Sequence, residues 1–218
     1  MIDAEMLLPE GWLHVPTSPG TEKLQARVVT SVVQHFVPEH LPRDRATPWR
    51  RELRKEMRRA LDEATAGGAR CVIMPLAQYG GLRLPGTLLV SVLEDDPQVV
   101  ASDLLAELLA DAGEDGLLLD VGGAPAVRIR SVVDSRRLGR AHPSWRVAYY
   151  ISHPEVPGVW ALATFTVLTD GDLEDPAVLA VVAMFDAVLG TLQWVEHEGG
   201  PSFEEVLAQV DALEPVGR

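Results

Sequence analysis

Between Val127 and Leu168 apolar residues recur at every second position, and a chain with that period settles as strands with one face turned inward. Val127, Ile129, Ser131 and Val133 alternate with Arg128, Arg130 and Val132. Trp145, Val147, Tyr149 and Ile151 alternate with Arg146, Ala148, Tyr150 and Ser152. Pro157-Gly158 supplies a turn, and a third strand follows over 159–168. One face of this meander is apolar and the other mixed, the signature of antiparallel pairing with one side partly open. The link from Asp134 to Pro143, with Arg136, Arg137 and Arg140, reads as a polar loop.

The segments around the meander read as helices and strands in turn. A short strand over 11–15 is anchored by Trp12. Four pairs, Ser18-Pro19, Thr47-Pro48, Asp96-Pro97 and Asp175-Pro176, each put a capping residue before a proline, the usual opening of a helix. The first helix runs to about Val37, with Leu24, Val28, Val29, Val32, Val33 and Phe36 on one face. The second runs to about Ala66 with Trp49, Leu53, Met57, Ala60 and Ala64 as its stripe, and Gly67-Gly68 ends it. Strands follow over 70–77 and 87–93, with a turn region over 79–86 between them. The third helix, to Ala112, buries Val99, Leu104, Leu105 and Leu108, and an apolar strand covers 117–121. The fourth helix runs to about Trp194 on a face of Val178, Val181, Val182, Phe185, Val188, Leu189 and Leu192. Gly199-Gly200 breaks it, and Ser202 with Glu205 caps a short last helix through Leu213.

No repeat or linker divides the chain, and its weakest seam is the polar stretch Pro38–Pro48. The expectation is one α/β (α+β) domain over 1–218. A mainly antiparallel sheet carries helices packed on both faces, with a helical insertion at about 20–66. The order of elements, with Gly11-Trp12, Val147-Ala148-Tyr149-Tyr150, Leu162-Ala163-Thr164-Phe165-Thr166 and the helix around Met184-Phe185-Asp186 ending at Trp194, resembles the PsbP-like fold. That fold is seen in a photosystem extrinsic subunit, a Ran-binding transport factor, small bacterial lipoproteins and actinobacterial-type chains of unknown role. The resemblance implies a binding scaffold in which Trp12, Phe185 and Trp194 are packing residues, and a shared fold does not by itself fix a function.

The residues offer little reactive chemistry. There is neither a Gly-x-x-x-x-Gly-Lys nor a Gly-x-Gly-x-x-Gly phosphate loop, and no Gly-x-Ser-x-Gly nucleophile elbow. The six histidines, at 14, 35, 40, 142, 153 and 197, form no metal-spaced pair, and the run Glu196-His197-Glu198 cannot aim three adjacent side chains at one point. In Glu94-Asp95-Asp96 the simplest role is Asp96 as a helix cap. Cys71, the single cysteine, sits in an apolar run and reads as a buried small side chain. The expectation is therefore no catalytic residue, no metal and no cofactor. The first residues, Met1 to Met6, lack a secretory pattern, and no apolar run is long enough to span a bilayer, so the expected compartment is the cytoplasm.

Charge is the one anomaly. The chain carries a formal −13, yet from Arg43 to Arg59 eight basic residues (Arg43, Arg45, Arg50, Arg51, Arg54, Lys55, Arg58 and Arg59) face three acidic ones, a local +5 against −18 elsewhere. On a helix, Arg51, Arg54, Lys55 and Arg58 fall on one side. Such a stripe is either a solvated face partly paired with Glu52 and Glu56, or a dock for an acidic protein or a second copy of the chain. Nucleic acid fits poorly, because no aromatic side chain on that face can stack a base. A second candidate surface is the mixed face of the meander, where Arg128, Arg130 and Arg146 would form a concave basic site if open. If a helix covers it, they must pair with acidic residues. The leading expectation is a non-enzymatic protein-interaction or adaptor module. The alternatives are a hydrolase-like enzyme using a carboxylate with His153 or His142 near the meander, and a structural homodimer.

Overall fold

A computed structural model describes residues 2–36, 42–79, 82–138, 141–196, 204–206 and 208. The elements in chain order begin with β1 (Ile2–Glu5), β2 (Trp12–Pro16), α1 (Glu22–Phe36), α2 (Arg43–Ala66), β3 (Cys71–Pro75), β4 (Gln78–Tyr79), β5 (Leu82–Arg83) and β6 (Gly86–Glu94). They continue with α3 (Ala101–Ala112), β7 (Gly116–Val121), β8 (Ala124–Val133), β9 (Ser144–Ser152), β10 (Val159–Leu168), α4 (Pro176–Leu189) and β11 (Gln193–Glu196). The Gly80-Gly81 pair, Arg140, His40, His197 with Glu198, Gly199-Gly200 and Ser202 lie outside the described residues. The chain groups into two compact units, one of residues 1–9 and 84–198, the other of residues 10–83 and 199–218.

The first unit is built on an antiparallel sheet in the order β6-β10-β9-β8-β7. Register fixes which residues share a face. Arg128 pairs with Tyr149, Tyr149 with Ala163, and Arg130 with Val147, so these five point one way. Their chain neighbours, including Val127, Tyr150 and Leu162, point the other way. α4 packs on the first face through Phe185, which is fully buried and stacks on Phe165 of β10 with ring centroids 4.9 Å apart. The ring comes so close to the sheet that a Cβ at Gly86 of β6 would lie 2.6 Å from it, so only glycine fits there. α3 packs on the opposite face, where Leu105 meets Val127 and Trp160. The antiparallel sheet with helices on both faces, expected from the period-two pattern, is what forms.

In the second unit β2 and β3 pair antiparallel, from Trp12 opposite Pro75 to Pro16 opposite Cys71. α1 buries Leu24, Val28, Val29, Val32 and Val33, as its spacing predicts, and these join Leu13, Val15, Leu61 and Val72 in one core. Trp12 and Cys71 are both buried. The expected helical insertion at about 20–66 falls wholly within this unit.

Several local expectations need correction. Only Asp175-Pro176 opens its helix, with the Asp175 carboxylate accepting a 2.7 Å bond from the Ala177 amide. Ser18-Pro19 instead begins a turn closed by the Thr21 amide on the Ser18 carbonyl, with Gly20 at φ 92°, and α1 starts at Glu22. Asp96-Pro97 likewise begins a turn closed by Val99 on Asp96, and α3 starts at Ala101, leaving Val99 exposed. Thr47-Pro48 lies inside α2, which begins at Arg43. Its inward stripe is accordingly Ala46, Leu53, Met57, Leu61 and Ala64, while Trp49 is 51% exposed. α4 stops at Leu189, and Trp194 stands in β11, which pairs antiparallel with β1, a strand the sequence pattern did not reveal.

Candidate functional site

α2 carries the basic ridge on its outer side. Arg51, Lys55, Arg58 and Arg59 are exposed and Arg54 is half-buried, and with Asp62 they border a shallow depression of about 560 Å³. Lys55 has Glu52 at 3.7 Å, and the Arg59 Nε donates to the Glu63 carboxylate at 2.8 Å, which pushes the Arg59 guanidinium further up from its ordinary value. Arg51, Arg54 and Arg58 form no ion pair among the described residues. Three unpaired guanidiniums one turn apart can grip a row of carboxylates.

The meander arginines do not converge. Arg128 and Arg130 lie on the α4 side of the sheet, whereas Arg146, opposite Ser131, lies on the other and is exposed. Arg130 rests its guanidinium 4.6 Å from the Trp145 ring centroid. Arg128 is covered by α4 and is paired, as a covered arginine must be. Its Nε donates to Asp186 Oδ1 at 3.1 Å and its Nη2 to Oδ2 at 2.7 Å. The Tyr149 hydroxyl donates to the same Oδ1 at 2.7 Å. Burial first, and then the Asp186 hydrogen bond and charge, hold the Tyr149 phenol well above its usual range, so it stays protonated at neutral pH. Beside this triad runs a groove of about 380 Å³ between α4 and β7, lined also by Leu117, Leu119 and Asp120.

Tyr149 and Asp186 were not singled out as partners of Arg128 from the sequence. The signal was present: Asp186 is the one charged residue of α4, and a carboxylate among Val, Ala and Phe needs a cation opposite it. The triad positions side chains and holds no unengaged base. The two histidines of the hydrolase reading do not reach it. His142 and His153 lie beyond opposite ends of the nine-residue β9, which itself spans about 30 Å at strand spacing. His153 Nδ1 accepts from the Glu155 and Val156 amides at 3.1 and 2.9 Å, and its ring packs on Trp194 at 4.7 Å. Asp96 caps a turn through the Gln98 amide at 2.9 Å instead of a helix.

No protein-family model matches the sequence, and no curated protein matches it. Among solved structures, it is similar to LpqN of Mycobacterium tuberculosis, described as involved in cell envelope biogenesis. That match has 10% identity and a TM-score of 0.44, and covers 90% of this chain and 85% of that one. It is also similar to the Saccharomyces cerevisiae Ran-binding protein Mog1p, at 12% identity and a TM-score of 0.35, over 56% of this chain and 77% of that one. A Ran-binding protein is one of those the PsbP-like resemblance led to expect. At this identity the likeness concerns layout alone.

Proposed function

We propose that this protein is a protein-interaction module that docks an acidic partner on the outer ridge of α2. The observation that carries the reading is the row Arg51, Arg54 and Arg58, unpaired among the described residues on a chain of formal charge −13. Each exposed ion pair contributes little alone, but a row of like charge raises the association rate and selects the partner's sign. The remaining −18 of the chain repels a phosphate backbone, which favours a protein over nucleic acid. The partner belongs to the cytoplasm on this reading. Among the described residues no helix is long and apolar enough to cross a membrane.

The test compares an Arg51→Glu, Arg54→Glu, Arg58→Glu variant with the matching Lys variant, using fluorescently labelled polyglutamate as probe. The expected result is a loss of at least tenfold in affinity for the Glu variant, near-retention for the Lys variant, and weakening with salt. Equal binding by the Glu variant removes the reading. A second copy of the chain is the other acidic partner, and sedimentation at low and high salt separates the two: a salt-sensitive dimer means self-association, a monomer throughout means a different protein.

A further inference from the structure

We propose that β7 is a docking edge for an extended partner segment in which Lys or Arg flanks apolar residues, bound by adding a strand to the first unit's sheet. β7 pairs with β8 one residue to one, from Gly116 opposite Ile129 to Val121 opposite Ala124, and no strand among the described residues pairs with its other side. Sheet edges are ordinarily blunted by a lysine, a proline or a bulge, and Gly116–Val121 has none of these. It presents Leu117 and Leu118 instead, 51% and 58% exposed, on opposite faces of the strand. An added strand would find apolar contact on both sides of the sheet.

The groove supplies the second feature. Leu117 and Leu119 form its β7 wall, and the mutually paired Arg128 and Asp186 also line it. Alternate side chains of an added strand point into this space, so an apolar side chain or a long aliphatic stem suits it. Charge selects the occupant. α3, the turn that follows it and β7 carry Asp103, Glu107, Asp111, Glu114, Asp115 and Asp120, all exposed, and the segment 101–121 contains no lysine or arginine. A second copy paired through its own β7 would set these carboxylates against their duplicates, whereas a basic segment is drawn to them. This site is separate from the α2 ridge and takes a partner of opposite charge.

The probe is a synthetic peptide, Lys-Val-Lys-Leu-Lys-Thr-Lys, with a control in which every Lys is Glu. Peptide titration of the full-length protein is read by amide hydrogen exchange and by anisotropy. The expected result is protection gained at Gly116–Val121 amides, at least tenfold weaker binding in Leu118→Lys, and no binding of the Glu peptide. Asp111→Asn with Asp115→Asn, which leaves the strand intact, weakens binding severalfold. Protection elsewhere, equal binding of the two peptides, or unchanged binding in Leu118→Lys overturns the proposal. So does a free protein that sediments as a dimer with those amides already protected, since the occupant is then a second copy.

Discussion

The two units treat charge in opposite ways. The first holds 20 acidic and six basic residues, and all six are arginines between Arg128 and Arg146. The second holds 12 acidic and 13 basic ones. Yet the covered, fully engaged cation, Arg128, is in the acidic unit, and the row of neighbouring unpaired cations is in the balanced one. Arg128 keeps 15% of its side chain exposed and has its fork filled by Asp186, so it contributes to packing order. Arg51 and Arg58 stand in solvent, where pairing within the chain is weak and a partner's carboxylates can compete. Net charge thus says little about which cations are available; the surroundings of each decide it.

Mutations can break that contrast, and the largest effects should fall on packing. Phe185→Ala removes the ring stacked on Phe165 and should cost about 4 kcal/mol, while Leu61→Ala, the comparable deletion in the second unit, should cost about 3 kcal/mol. Hydrogen exchange locates each loss in its own unit's amides. Asp186→Ala strands the Arg128 guanidinium and should cost about 3 kcal/mol by denaturant titration, the low end for breaking a buried pair. Tyr149→Phe should cost about 1 kcal/mol, one hydrogen bond. It also carries a pH signature. The folded phenol keeps its proton beyond the usual value of about 10, so its stabilisation is complete below that pH and is lost as pH rises through the folded value. Ultraviolet titration of the three tyrosines should show one late phenol that disappears in Tyr149→Phe. Reversal of Arg51, Arg54 and Arg58 should change stability by no more than about 0.5 kcal/mol. A larger loss would mean that the ridge is structural after all.

What the sequence conveyed follows from the range of each signal. Period two across Val127–Leu168 is local and strong, and the sheet follows it residue by residue. The Ser18-Pro19 and Asp96-Pro97 pairs misled because a capping residue followed by proline also opens a turn, whose closing bond the pattern does not show. Pro48 misled because α2 extends five residues to its N-terminal side. β11 was invisible because its partner β1 lies some 190 residues away, and the apolar strand over 117–121 gave no sign of the exposure of Leu117 and Leu118 because edge position is a property of topology. For the site, the α2 stripe was legible as charge on one helix face, whereas the Arg128–Tyr149–Asp186 triad joins residues 58 and 37 positions apart.

Gly86 has a reach beyond its own position. Its bare backbone sets the standoff between β6 and the Phe185 ring, and Asp186 is the next residue along α4. The missing side chain therefore acts as a spacer gauge, fixing the height at which the helix rides over the sheet and hence whether the carboxylate meets the Arg128 fork. The wall of the groove that Asp186 forms can be moved by a methyl group placed on the far side of an aromatic ring, without altering any residue that lines it.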